Sequence, residues 1–104
     1  MDLADFQDML RALGAKHSEI RVLLALMRVA RPLRLAEILE LTGLSDRTVR
    51  LALRSLRDMG YVHVIGHGRS TRYVSETPGK IAEMLKKRME ERISAILTHL
   101  QFHS

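Results

Sequence analysis

Cysteine and asparagine are missing from this 104-residue chain. Without a thiol there is no disulfide framework and no thiolate chemistry. The lack of these thermolabile residues, beside 13 arginines and only 4 lysines, points toward heat adaptation. Long apolar runs are lacking as well. The longest, Val22 to Met27, has six residues, where a bilayer-spanning helix needs about 20. The opening Met1-Asp2 has no basic stretch ahead of an apolar segment, so no secretory leader is expected and the expected location is cytoplasmic. No repeat, low-complexity segment or linker divides the chain, and residues 1–104 are expected to form a single domain with one modest core. Part of its stability is then expected to come from a partner subunit. There is no nucleophile elbow, no phosphate loop and no carboxylate pair in a recognisable pocket motif, so neither an enzyme nor a cofactor is expected.

What is present is positive charge, and it is concentrated. Residues 1–44 carry six basic and six acidic side chains, residues 45–74 six and two, and residues 75–104 five and four. Most of the net charge of +5 therefore sits in the middle third. A solvated surface would spread such an excess, whereas a concentrated one is the electrostatic footprint of a polyanion binder. A membrane-surface helix would need a free apolar face, and here that face is wanted by the core.

The concentration coincides with a helix. From Ser45 to Gly60, Val49, Ala52, Leu53, Leu56 and Met59 recur at three- and four-residue steps, the period of one helix face. At about 100° per residue, Arg47, Arg50 and Arg54 fall opposite that stripe, with Arg57 on its shoulder. Ser45 suits the N-cap and Gly60 the left-handed stop. Leu35 to Thr42 has a helical pattern of its own, and Gly43-Leu44 leaves room only for a tight turn, which makes a helix-turn-helix. Downstream, Tyr61 to Ile65 and Arg72 to Val74 are β-like around the turn-rich stretch Gly66 to Thr71, a hairpin with a basic tip.

Together these features resemble the winged helix-turn-helix of small prokaryotic, archaeal-type regulators of the MarR and TrmB-like groups. Ser45, Thr48-Val49, Leu53, Leu56 and Gly60-Tyr61-Val62 match the second helix of that pattern, Gly68-Arg69 its wing, and Glu76-Thr77-Pro78-Gly79 the segment opening the next helix. The wing lacks the acidic residue common beside its arginine, and the chain is short for a full MarR protein. The resemblance covers about residues 18 to 80. It implies a mostly α fold with a small β-hairpin wing, a winged-helix core over residues 18–76, and a short strand at Leu33 to Leu35 on the edge of the wing.

The flanking segments are helical too. Leu3, Phe6, Met9, Leu10 and Leu13 form a stripe between the cap Asp2 and the stop Gly14, giving an N-terminal helix over residues 1–14. Ser18 is expected to open a helix apolar on most sides, hence central, ending at Arg31-Pro32 with His17 in the preceding loop. Thr77-Pro78 opens the last helix, residues 77–102, with Ile81, Leu85, Met89, Ile93, Ile96, Leu97 and Leu100 along one face. At about 23 residues it is roughly 35 Å long, more than a domain this size covers. A homodimer interface of Ile81, Leu85, Met89, Ile93, Ile96 and Leu100 is the expectation, against the alternative of a helix lying wholly on its own domain.

The expected function is sequence-specific binding of double-stranded DNA by a homodimeric transcription regulator. Ser45, Asp46, Arg47, Thr48, Arg50, Leu51, Arg54 and Arg57 would enter the major groove, Arg47 and Arg50 with Asp46 and Leu51 at base edges, Leu51 against a thymine methyl. Arg54 and Arg57 would reach phosphates, and Arg69 with Arg72 would hold the wing to the backbone or minor groove. A non-specific architectural chromatin protein and a winged-helix protein-interaction module are the alternatives; a protein-binding face would be apolar or acidic. His99 and His103 have the spacing of two metal ligands but no further ligand nearby, so a polar helix end is expected and no metal. His63 and His67 flank the wing turn, where a protonated imidazole meets phosphate or simply faces solvent. The six methionines read as core filler rather than ligand surface. Any small-molecule effector is left open by the residues.

Overall fold

Local chemistry places the helix ends. In the computed structural model, which describes residues 2–103 and side chains as far as Gln101, the Asp2 carboxylate accepts the Asp5 N–H at 2.8 Å and starts α1, Leu3–Ala12. α2, His17–Val29, begins one residue earlier than expected. Glu19 reaches back to accept the Lys16 N–H at 2.6 Å, and that bond draws His17 out of the loop and into the first turn. α2 also stops sooner, because Ala30 takes a left-handed conformation at φ +56° ahead of Pro32. α3, Leu35–Thr42, ends at Gly43, φ +68°, a conformation that favours glycine. α4, Asp46–Asp58, is capped by Ser45, whose Oγ accepts the Thr48 N–H at 3.2 Å.

The chain then turns at Gly60, φ +82°, into the hairpin of β1, Val62–Ile65, and β2, Arg72–Ser75. The strands pair antiparallel from Val62 opposite Ser75 to Ile65 opposite Arg72, around a single 3-10 turn at Gly68–Ser70. The expected strand at Leu33 to Leu35 shrinks to one residue. Leu33 donates to the Tyr73 carbonyl at 2.8 Å and accepts from the Tyr73 N–H at 2.7 Å, whereas Leu35 already belongs to α3. α5, Pro78–His103, starts with Thr77 Oγ1 accepting the Lys80 N–H at 3.4 Å and runs for 26 residues, about 39 Å.

These elements close over one apolar cluster. α2 contributes Val22, Leu23 and Leu26, α4 contributes Val49, Leu53 and Leu56, and Phe6, Leu10, Ile38, Leu33, Tyr61 and Val62 fill in around them. α2 is the central helix, packed against α3, α4 and β2. Burying the α4 stripe is what turns the arginines outward, so the core sets the orientation of the cationic face.

One expectation needs correction. Ile81 and Leu85 are fully buried in this same cluster, so they serve the chain's own core and are not available to a second subunit. Met89 is half-buried. The first turns of α5 cover the domain, and every described residue from Glu90 onward is exposed. Ile93, Ile96, Leu97 and Leu100 stand 51–55% exposed on that free half. The molecule measures 55 × 25 × 24 Å, its long dimension exceeding the others as a projecting helix requires.

Candidate nucleic-acid interface

α4 presents Arg47, Arg50, Arg54 and Arg57 to solvent along one side. Two of its acids sit at the ends, where Asp46 favours the positive N-terminus of the helix dipole. Asp46 Oδ1 accepts from Arg50 Nε at 2.6 Å. That contact occupies Nε and leaves the Nη pair, the fork suited to bidentate recognition, without a hydrogen-bond partner among the described residues. Ser45 and Asp46 are exposed at the head of the helix. Thr48 is half-buried, its Oγ1 accepting from Ser45 Oγ at 2.8 Å, so it braces the cap more than it faces a ligand. Leu51 is 56% exposed on the cationic side, an apolar side chain the core does not use.

The hairpin brings further charge to the flanks of α4. Arg54 and Arg57 share a polar concavity with Asp58 and His63 on one side, while Arg50 lines a second one with Arg69 on the other. Arg69 is exposed at the tip of the wing. Arg72 is different: it is half-buried, and its Nη1 donates to the Ser70 carbonyl at 3.4 Å. Glu37 is held below the usual carboxylate range, first by its hydrogen bond from Arg31, with the Arg72 charge a smaller contributor. Of the two wing arginines, Arg69 is the one standing free toward a ligand.

At the base of the wing, Glu76 accepts from Lys80 at 2.9 Å and faces His63 Nε2 at 3.3 Å. The Lys80 hydrogen bond is the main reason its carboxyl titrates below the ordinary value. His63 thus touches both Glu76, just past the end of β2, and the polar concavity beside α4. His67 is exposed in the turn. The pairing of His99 with His103 falls outside the described side chains. Among the described residues no group of three metal-ligating side chains occurs.

Two residues that sequence reasoning missed matter here. Arg88 on α5 donates from Nη1 to the Tyr61 hydroxyl at 2.8 Å and from Nη2 to the Met59 carbonyl at 3.0 Å, with its guanidinium 5.0 Å from the Tyr61 ring centroid. It fastens the long helix to the end of α4. A Cβ on Gly60 would lie 3.3 Å from Met84 Cε, so glycine serves both the turn and the close approach of α5. Burial pushes the Tyr61 phenol up, and the Arg88 charge and hydrogen bond pull part of that shift back. Because a raised phenol resists ionising in the folded state, its contribution holds below about pH 10 and is lost as pH rises past that value. Arg88→Met should cost about 1–3 kcal/mol of unfolding free energy, since it strands a buried hydroxyl and a carbonyl. Urea unfolding checks this, and a change within experimental error would contradict the fastening role. The second missed residue is Arg34 at the head of α3, which lines the same concavity as Arg50 and Arg69.

A helix-turn-helix whose second helix is cationic outward and apolar inward, followed by a basic hairpin, defines a winged-helix transcription regulator. The chain belongs to the TrmB family: the family model for the sugar-specific transcriptional regulator TrmB matches residues 10–79. No curated protein sequence matches the chain. Among solved structures it is similar to the ST1889 protein of the thermoacidophilic archaeon Sulfolobus tokodaii, with 25% identity and a TM-score of 0.73 over 89% of this chain and 99% of that one. It is also similar to a possible transcriptional regulator from Methanosarcina mazei Go1, at 13% identity and a TM-score of 0.82 over 100% and 96%. The archaeal chromatin protein TrmBL2, described as showing a novel mode of DNA binding, shares the fold at 21% identity and a TM-score of 0.75; the match covers 90% of this chain and 37% of that one. No described helix is long and apolar enough to cross a membrane.

Proposed function

We propose that the chain acts in the cytoplasm as a homodimeric regulator that binds double-stranded DNA sequence-specifically, residues 1–104 forming one winged-helix domain. The observation that carries this reading is the single cationic side of α4, turned outward by its buried opposite face and flanked by Arg69. In this reading α4 enters the major groove with Arg47 at base edges and Asp46 and Leu51 beside it. Arg50, directed by Asp46 and bordering the wing side, stands where base edges give way to backbone. Arg54 and Arg57 reach phosphates, and Arg69 holds the wing against the backbone or minor groove. The exposed half of α5 joins two copies through Ile93, Ile96 and Leu100, with Leu97 added and Met89 at the border.

A division of labour between reading and positioning tests the proposal. Arg47→Ala should lose about 1–3 kcal/mol on the preferred site and relax selectivity at one base pair. Arg69→Ala should instead weaken all sequences alike and make the salt dependence shallower. Titration of both variants on preferred and scrambled duplexes checks this; a change of preferred sequence caused by Arg69→Ala alone would contradict it. A second reading, non-specific chromatin coating, draws on the likeness to TrmBL2 and on the free end of α5. It is separated by the ratio of specific to random affinity, which for a sequence-specific regulator is about 10³ or more.

A further inference from the structure

A cleft of about 290 Å³ separates α4 from the wing. Its floor is the start of α3 at Arg34, Leu35 and Ala36; Arg50 lines one wall, and Arg69 with Thr71 the other. The walls are held in place. The paired hydrogen bonds between Leu33 and Tyr73, 2.8 and 2.7 Å, tie the residue before Arg34 directly to β2. The Thr71 hydroxyl is committed to the Gly68 carbonyl at 2.8 Å, which stiffens the tip.

Three guanidinium-bearing residues line this space and no carboxylate does. The nearest acids are spoken for: Asp46 accepts from Arg50 Nε at 2.6 Å, and Glu37 accepts from Arg31 Nη2 at 2.9 Å and from the Arg34 backbone N–H at 3.1 Å. Among the described residues, no hydrogen bond or ion pair engages the guanidinium of Arg34 or of Arg69. Two unneutralised, forked cations bordering one small rigid space suit a tetrahedral oxyanion. The first N–H groups of α3, which lack partners within the helix, add donors on the floor.

The geometry points to this cleft as a phosphodiester site, with Arg34 as a ligand to the DNA backbone. The inference rests on the DNA-binding reading above and adds a residue to it. When one element enters the major groove and a hairpin of the same chain reaches the neighbouring minor groove, the backbone strand dividing those grooves must pass between the two elements. The cleft is the space between them. Arg34 lies in the third of the chain whose charges balance, so composition gives no hint of it; the fold brings it to the wing.

The test uses the full chain, with wild type, Arg34→Ala and Arg34→Lys titrated against preferred and random duplexes from low to physiological salt. In parallel, the backbone amides of Leu35 and Ala36 are followed by NMR as inorganic phosphate is added. Arg34→Ala should lose roughly tenfold affinity on both duplexes, with a log–log salt slope shallower by about one for each half-site engaged. Arg34→Lys should recover most of the loss, since a point cation still meets phosphate. The melting temperature should not move, because no hydrogen bond from the Arg34 side chain is broken. Wild-type affinity and slope in Arg34→Ala would overturn the site, and so would a loss confined to one sequence, which would mean base reading. Phosphate-dependent amide shifts that vanish in Arg34→Ala while DNA binding is untouched would mark a free-anion site and overturn the backbone assignment. Wild-type protein that binds no duplex at all would instead defeat the DNA reading itself, an outcome distinct from equal binding by wild type and variant.

Discussion

Changing Ile93 and Ile96 together to glutamate is expected to convert a dimer into monomers while the winged-helix core stays folded. Both side chains are about half exposed on the projecting half of α5, beyond Leu85, the last fully buried residue of the helix. The substitutions therefore remove nothing from the chain's own core. In a dimer they would place two charges per chain in an apolar contact, and burying unpaired charge costs several kcal/mol, enough to split a modest interface. Two recognition helices related by a two-fold axis read half-sites about 34–36 Å apart, so losing the partner removes the gain from linked binding, about 10²-fold or more. A paired site should lose that affinity and an isolated half-site should lose little. Sedimentation of the parent and the variant checks the assembly. A parent mass near the 11.9 kDa of one chain would remove the explanation for the projecting helix. The same pair of changes at Ile81 and Leu85 should instead unfold the protein, because those two are fully buried in the central cluster.

The second large effect is electrostatic. Arg50 is engaged by Asp46, Arg72 is turned back onto the wing and Arg47 is assigned to base edges, which leaves Arg34, Arg54, Arg57 and Arg69 to meet phosphates on each chain. If a dimer neutralises about eight phosphates, log affinity should fall against log salt with a slope of roughly −7. Between about 50 and 200 mM salt that is a loss of roughly 10⁴-fold. Fluorescence anisotropy with a labelled duplex measures it directly. An affinity flat over this range would mean that the arginine face does not meet the backbone.

What could be read from the residues was mostly local. Asp2, Ser45 and Thr77-Pro78 mark helix ends through contacts a few residues away, and the structure places caps at all of them. The amphipathic face of α4 was equally legible, because period and charge act within one helix. The Asp46–Arg50 pair was available too, at i, i+4 spacing. Long-range matters were not. A stripe from Ile81 to Leu100 carries no mark of where the domain beneath it ends, so the core residues Ile81 and Leu85 looked identical to the exposed Ile93 and Ile96. Arg88 meets Tyr61 and Met59 across 27 and 29 residues, and the bridge between Leu33 and the distant Tyr73 is what brings Arg34 beside the wing. His17 joined its helix because Glu19 reached back, a capping pattern opened by a lysine that the usual cap residues do not suggest.

Selection of bound fragments from random duplex DNA by the purified chain tests the central claim most directly. A sequence-specific dimer should enrich an inverted repeat whose half-sites lie one helical turn apart, about 10 base pairs centre to centre. A library that returns unenriched after repeated rounds, although the protein retains duplex throughout, would contradict sequence-specific regulation and favour chromatin coating.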